Sequence, residues 1–198
     1  MKNTSNIEEA FILEHKHEFM KIYASLFNRY AQVLIDNNHS LEALLKIAYT
    51  DIEDITGKIK ETNNFTCSSG CSFCCYGDIF LSPIEAELVK ASLSKPKTTV
   101  DKELLARQKK TPYHKRKYAD KRCSLLNENE DCSIYEYRPI ICRIWNSTSD
   151  PSKCNLSGGK QTAATVSSLH YYAIAGILGQ LSIDLLKGTD NVNLVDIL

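Results

Sequence analysis

A group of four cysteines within nine residues constrains this chain more than any other feature of its sequence. The group consists of Cys67, Cys71, Cys74 and Cys75. No long apolar helix or strand surrounds these residues to bury them as small hydrophobic side chains, so their density indicates metal ligands or redox groups. Cys74 and Cys75 are adjacent, and neighbouring side chains diverge in most backbone conformations. We therefore expect the pair either to be divided between two metal centres or to bridge one compact polynuclear site.

The other four cysteines lie downstream at intervals of nine, ten and twelve residues, at Cys123, Cys132, Cys142 and Cys154. These spacings form no local Cys-x-x-Cys knuckle, so we expect the second set to fold back onto the first. A structural zinc site takes four Cys or His ligands and an iron–sulfur cluster usually takes four Cys, so eight cysteines could serve two such sites. The metal would then join two parts of the chain, and metal binding would be coupled to folding.

The identity of the metal stays open between zinc and an iron–sulfur cluster, because thiolate ligands suit both. The compact Cys67–Cys74 run favours iron–sulfur, since it supplies three ligands to a cubane and leaves a distant cysteine to complete it. Either centre would keep net negative charge, so nearby cations are expected. Arg138 and Arg143 flank Cys142 and could compensate this charge and donate N–H groups to sulfur. The alternative is that both are ordinary surface arginines.

The two cysteine sets together resemble the YkgJ-type cysteine-cluster family, whose members are described as zinc- or iron-chelating proteins. The resemblance is carried by Cys67-x3-Cys71-x2-Cys74-Cys75 and by the downstream run Tyr135-Glu136-x-Arg138-Pro139-x2-Cys142-Arg143. It covers residues 67 to 154 and implies that all eight cysteines form the metal-binding set, with Tyr135, Arg138 and Arg143 beside it. It implies no particular reaction. Ser124 stands where members often have Pro, which would loosen that turn without removing a ligand.

An enzymatic alternative comes from the Cys-x3-Cys-x2-Cys spacing of Cys67, Cys71 and Cys74, which matches the radical S-adenosylmethionine signature. Those enzymes resemble partial TIM barrels built from strand–helix repeats, and the helical segments ahead of Cys67 leave no room for the first strand. Some flagellin lysine methylases are nevertheless similar to this cysteine pattern. An iron–sulfur-dependent redox or methyl-transfer enzyme is therefore the alternative function, and no catalytic residue is predicted.

Charge is unevenly distributed along the chain, although its 24 basic and 24 acidic residues cancel. Residues 95–122 contain eleven Lys or Arg against three acids, whereas residues 1–66 contain ten acids against seven bases. The neutral balance gives no sign of a nucleic-acid or anionic-membrane partner. A nucleic-acid-binding module that uses the basic segment 109–122 is the second alternative, and a solvated face is the simpler interpretation. No other partner is indicated.

Apolar periodicity predicts a mainly α fold. Residues 6–37 and a second helix capped by Ser40 should form an antiparallel hairpin. Ser82-Pro83-Ile84-Glu85 matches a capping box and predicts a helix from about Pro83 to Leu93. A further short helix is expected from Asp101 to Lys110, and the segment after Gly188 shows only short apolar runs.

The segment from Ala163 to Ile183 has no charged residue and is about long enough to span a bilayer. Its serines, histidine and glutamine favour a buried C-terminal helix instead, and no membrane partner is expected. This helix and the hairpin are expected to pack around the irregular cysteine-rich middle of the chain.

The length of 198 residues suits a single domain. Within it we expect a helical hairpin over 1–62, a cysteine-cluster metal-binding region over 63–158, and a C-terminal helix and tail over 159–198. The first residues lack the apolar run of a secretory signal, which predicts a reducing cytoplasmic location without disulfides.

Overall fold

The structure, a computed structural model, describes residues 9–68, 70–155, 157, 164, 166–187 and 190–198. The predicted mainly helical fold is confirmed. The named helices are α1 (Lys16–Asp36), α2 (Leu41–Thr62), α3 (Pro83–Ser92), α4 (Lys102–Lys110), α5 (Ile140–Ile144), α6 (Leu169–Leu186) and α7 (Leu194–Ile197). Two short strands, β1 (Phe80–Leu81) and β2 (Val192–Asn193), form an antiparallel pair in which Phe80 lies opposite Asn193.

Helices α1 and α2 form the predicted N-terminal hairpin. Residues 9–14 are also helical and are separated from α1 by a turn at His15, while positions 6–8 of the predicted helix lie outside the described residues. Asn38 and His39 adopt positive φ angles of 50° and 59° in the connection. The Ser40 hydroxyl then accepts a hydrogen bond from the Ala43 backbone N–H at 3.2 Å, as expected of an N-cap.

Helix α6 packs against α1 and α3 and fills the centre of the first hydrophobic core. Ile174, Ile177 and Leu178 are completely buried there. By length and composition alone, α6 could cross a membrane, but it also contributes these side chains to a core shared with the hairpin. It begins at Leu169 and ends at Leu186, which shifts the predicted helix toward the C-terminus; position 163 lies outside the described residues.

The predicted capping box at the start of α3 is confirmed, and it reaches further than the sequence indicated. The Ser82 hydroxyl accepts from the Glu85 N–H at 3.4 Å, and the Glu85 carboxylate accepts from the Ser82 N–H at 3.0 Å. The other carboxylate oxygen of Glu85 accepts from the Ile140 N–H at 2.7 Å. Burial raises the pKa of Glu85 above its usual range. The start of α3 is therefore tied to the start of α5, the helix that carries Cys142.

A second hydrophobic core lies beside the cysteine-rich region. Its buried members are Leu81, Ala86, Val89, Leu125, Ile134 and Leu194. Helix α3 contributes to both cores, because Ile84 faces the first core while Ala86 and Val89 face the second. The segment after Gly188 holds more structure than its short apolar runs indicated, since β2 pairs with β1 and α7 buries Leu194.

Candidate metal centre

The first cysteine segment consists of two tight turns that follow α2. The Cys71 N–H donates to the Ser68 carbonyl at 3.1 Å, and Gly70 adopts a φ of 81°, which glycine tolerates without a steric penalty. Cys74 and Cys75 lie on a 3₁₀ turn, Phe73–Tyr76. The four thiols of this segment are thus presented by backbone turns rather than by a regular helix or strand.

The second cysteine set is presented by four different local structures. Cys123 follows the 3₁₀ turn Tyr118–Lys121, and Cys142 lies on α5. Cys132 forms an isolated antiparallel bridge with Leu126, and Cys154 ends the 3₁₀ turn Pro151–Cys154. Because each residue has its own local support, only the tertiary structure can bring the four thiols together.

One end of the first segment is joined to the residues around Cys123. The Cys123 N–H donates to the Cys75 carbonyl at 2.8 Å. The Glu130 carboxylate accepts from the Ser72 hydroxyl at 2.6 Å and from the Arg122 Nε at 2.8 Å. A backbone bond and a side-chain bridge therefore connect the two cysteine segments here.

The other end of the first segment is joined to the residues that precede Cys154. The Thr66 N–H donates to the Ser147 carbonyl at 2.9 Å, and the Ser147 N–H donates to the Cys67 Sγ at 3.3 Å. The Phe73–Tyr76 turn also contacts the Pro151–Cys154 turn. The second set thus folds back onto the first at two places, as its spacing predicts.

The thiols lie close to one another without forming a finished coordination shell. All eight cysteines are free. Among the described residues, no three or more His, Cys, Asp or Glu side chains form a group that could hold a metal ion as it stands. The thiols nevertheless lie within electrostatic reach of each other. Burial is the largest cause of the raised pKa of Cys71, and the charges of Cys67, Cys74 and Cys154 raise it further. On the downstream side, burial raises the pKa of Cys142 most, and Cys123, Cys74 and Cys132 add to it.

The adjacent thiols of Cys74 and Cys75, on the 3₁₀ turn, affect each other's ionisation. This interaction lowers the pKa of Cys74 to about 7 and raises the pKa of Cys75 well above its usual value. Burial raises the pKa of Cys123 to about 11 and that of Cys142 well above 9.0. Half-buried thiols of this kind resist ionisation unless a cation compensates the charge, and a bound metal is such a cation.

Arg143, one of the two arginines predicted beside the thiolates, has its nitrogens directed at oxygen acceptors. They donate to the Glu53 carboxylate at 2.8 Å, the Arg138 carbonyl at 3.0 Å and the Glu136 carbonyl at 2.6 Å. Its guanidinium carbon lies 3.9 Å from the centre of the Tyr49 ring. Arg143 therefore connects α5 to α2. Burial raises the pKa of Cys132, and the charge of Arg143 offsets part of this increase.

Arg138 is the other arginine, and it has an available donor. Its guanidinium carbon lies 4.0 Å from the centre of the Tyr135 ring, and Tyr135 is itself exposed. Its Nε is buried with no hydrogen-bond partner in the described part of the chain. The charge of Arg138 lowers the pKa of Cys74, after the larger effect of the Cys75 thiol. The three residues predicted beside the ligands thus differ in what they contact.

The three arginines of residues 95–122 have structural contacts. Arg107 pairs with Asp120 at 2.9 Å, and Arg116 donates to the Thr111 and Gln108 carbonyls, each at 2.8 Å. Arg122 pairs with Glu130 in the bridge described above. Nucleic-acid binding by residues 109–122 stays a prediction that would depend mainly on the lysines.

The structure also bears on the radical S-adenosylmethionine alternative. In the described residues, the sheet has two antiparallel strands of two residues each, and no strand–helix repeats occur. The resemblance to that enzyme class is therefore confined to the spacing of Cys67, Cys71 and Cys74.

Two contacts that join the cysteine segments were missed by the sequence analysis, namely those of Glu130 and Ser147. Glu130 lies in a run of Asn, Glu and Asp that indicates only a turn, and Ser147 lies in a run of small polar residues. Neither position carries a motif or a periodicity, and the partners of Ser147 are 80 residues away. No sequence signal could have identified these roles.

Comparison with known proteins supports the cysteine pattern. A family model with the description "CxxCxxCC: Putative zinc- or iron-chelating domain" matches residues 66–166, about half of the chain. Neither the curated proteins nor the solved structures contain a match. The matched range contains all eight cysteines and the Tyr135–Arg143 run, so the resemblance stated from the sequence is confirmed. This chain belongs to the CxxCxxCC family, the YkgJ-type cysteine-cluster proteins.

Proposed function

We propose that this protein binds iron–sulfur clusters through its eight cysteines, and that the bound metal joins the segment 67–75 to the segment 123–154. The family description supports metal chelation by zinc or iron. The observation that carries the proposal is that the first segment lies between the two parts of the second set. The Cys123 N–H to Cys75 carbonyl bond holds one end, and the Ser147 N–H to Cys67 Sγ bond holds the other.

The contacts support a division of the thiols into two centres of four. Cys67, Cys71 and Cys154 lie on one side, where the Phe73–Tyr76 and Pro151–Cys154 turns meet. Cys123, Cys132 and Cys142 lie on the other, around the Cys75 carbonyl. Cys74 and Cys75 stand between the two groups. We assign Cys74 to the first group and Cys75 to the second, which gives each centre the four thiolates that zinc and iron–sulfur clusters both take.

The chain's own residues fit such centres in charge. The positive charge of Arg138 lowers the pKa of Cys74, after the larger effect of the Cys75 thiol, and so favours the thiolate that a metal binds. The half-buried Cys123 and Cys142 would be shielded further from water once ligated. A bound iron–sulfur cluster would supply one-electron transfer, whereas zinc would supply structural support alone in a closed four-thiolate site.

Anaerobic purification, followed by metal analysis, sulfide analysis and a visible spectrum, tests the proposal. A coloured protein with iron and acid-labile sulfide is the expected result. A colourless protein with stoichiometric zinc would contradict the iron–sulfur assignment and leave the eight-thiolate site intact. A folded protein without metal would contradict both forms.

Single substitutions test the division into two centres. Cys154→Ser and Cys142→Ser should each lose about half of the bound metal, because each removes one ligand from a different centre. The double variant should lose nearly all of it. If either single substitution removes all the metal, the thiols form one polynuclear site instead. Ser133→Ala is the matched control. Ser133 lies beside Cys132 and its hydroxyl donates to the Thr99 carbonyl, so this variant should retain its metal.

A further inference from the structure

An open cavity of about 330 Å³ lies between α2, the loop that carries Cys67, and residues 135–146. We call it the Arg138 cavity. Its volume falls at the lower end of the range of small-molecule pockets, roughly 300–1,000 Å³. The helical hairpin, the first cysteine segment and the Tyr135–Arg143 run all contribute to its wall.

Basic residues outnumber acidic ones in the wall of the Arg138 cavity. The wall contains Lys60, Arg138 and Arg143 but a single acid, Glu53. Arg143 is already bonded to Glu53 and to two backbone carbonyls. The charges of Lys60 and Arg138 are therefore the ones that a bound anion would compensate.

Arg138 is held in a position suited to recognising such an anion. Its guanidinium group stacks over the Tyr135 ring at 4.0 Å, which fixes the plane of the group. Its Nε is buried and has no partner among the described residues. Leaving a buried charged donor unpaired is costly, and a carboxylate or phosphate can satisfy two guanidinium N–H groups at once.

Gly57 provides a second, independent indication of a ligand. It lies inside α2, where glycine destabilises a helix relative to alanine. A Cβ built at Gly57 would meet no atom within 4 Å, and Gly57 lines the cavity. Close packing between protein segments therefore does not require a glycine at this position. The absence of a side chain keeps this wall of the cavity open.

We propose that the Arg138 cavity binds a small anion that bears a carboxylate or phosphate group, with that group paired to Arg138 and the rest of the molecule beside Cys67. The anion site itself uses protein side chains only and does not require metal. Its position relative to the metal rests on the proposed function, in which Cys67 is a ligand. The cavity would then place a small substrate or effector against the first metal centre.

Calorimetric titration of the metal-loaded protein with sodium succinate and with sodium phosphate tests this site. Both titrations are made at constant ionic strength, with sodium chloride as the control. At least one probe should bind well above the chloride response, and whichever binds identifies the acid group. Arg138→Gln should weaken that binding by at least tenfold, because it removes the charge and part of the donor fork.

Two glycine variants separate the cavity from general effects of substitution. Gly57→Leu places a side chain in the cavity and should also weaken binding by at least tenfold. Gly179→Leu is the matched control, since Gly179 also lies inside a helix with no atom within 4 Å of a built Cβ but does not line the cavity. It should bind the probe as the parent protein does. Circular dichroism checks that both variants keep their helical content.

The proposal is overturned if neither probe binds above chloride, or if Gly57→Leu and Arg138→Gln bind as tightly as the parent. Metal content is measured in the same samples, which keeps the two proposals distinguishable. A protein that binds succinate but holds no metal would contradict the proposed function and support the anion site. A metal-loaded protein that binds neither probe would contradict the anion site and support metal binding.

Discussion

Arg138 and Arg143, five positions apart in the sequence, differ in their hydrogen bonds. Arg143 donates to Glu53 on α2 and to two backbone carbonyls, whereas the Nε of Arg138 is buried and has no partner within the described ranges. The sequence places both residues next to Cys142 and so predicts the same role for both. It could not distinguish them, because the acceptor on α2 lies 90 positions away and no spacing rule connects it to Arg143.

Arg143→Gln should lower the free energy of unfolding by about 1–3 kcal/mol. The Arg143 side chain is buried, and the substitution removes its charged hydrogen bonds to the Arg138 and Glu136 carbonyls. The Glu53 pair adds little, because Glu53 is largely exposed. Urea denaturation measures the change. Arg107→Gln is the control, since it removes an arginine from an exposed pair and should leave the midpoint unchanged. Equal midpoints for both variants would contradict a structural role for Arg143.

Ser124→Ala should raise the free energy of unfolding by about 1 kcal/mol. The Ser124 hydroxyl is buried and has no hydrogen-bond partner in the described structure, so its removal relieves an unpaired polar group. The urea midpoint of the variant against the parent is the measurement. A lower midpoint would mean that the hydroxyl has a stabilising role, and metal content should be the same in both proteins.

At the scale of elements, local sequence rules predicted the helices but not the long-range pairing of the two strands. Ser40 and the Ser82–Glu85 capping box were identified correctly, because each cap depends on residues three positions apart. The β1–β2 pair was not identified. Each strand has two residues, too few for an alternating pattern, and their partners are more than 100 positions apart.

The turn that contains Glu130 connects the two cysteine segments, and its contribution to stability should depend on pH. Burial raises the pKa of Glu130, but the hydrogen bonds from Ser72 and Arg122 outweigh it and hold the pKa below 4.5. A depressed carboxyl pKa contributes stability that is present above the unfolded value and is lost as pH falls through the folded value. Glu130→Gln should therefore be less stable than the parent near neutral pH, and the difference should shrink below about pH 4.5.

Thermal unfolding of both proteins between pH 3 and pH 7 measures this difference. Glu128→Gln is the matched control, since Glu128 lies in the same turn but is exposed and should show no such dependence. A Glu130→Gln difference that stays constant across this range would contradict the carboxylate bridge.

At the scale of the whole molecule, the cysteine-rich region contacts both hydrophobic cores. Cys123 and Cys132 pack against the second core, and Ile140, on the helix that carries Cys142, lies in the first. Helix α3 contributes side chains to both cores, and Glu85 ties it to α5 and hence to Cys142. The sequence predicted that the second cysteine set returns to the first, because its spacings form no local site. The two backbone joints that hold the segments together could not be predicted, since they use main-chain atoms that any residue supplies.

Amide hydrogen exchange of the metal-loaded and the chelator-treated protein tests most directly whether metal joins the two cysteine segments. Removal of the metal should lower protection at the Cys123, Thr66 and Ser147 amides, which donate the hydrogen bonds that join the segments. The amide of Ile177, in the first core, should keep its protection. Unchanged protection at all three amides after complete loss of metal would contradict the joining role of the metal, because the segments would then be held together by the polypeptide alone.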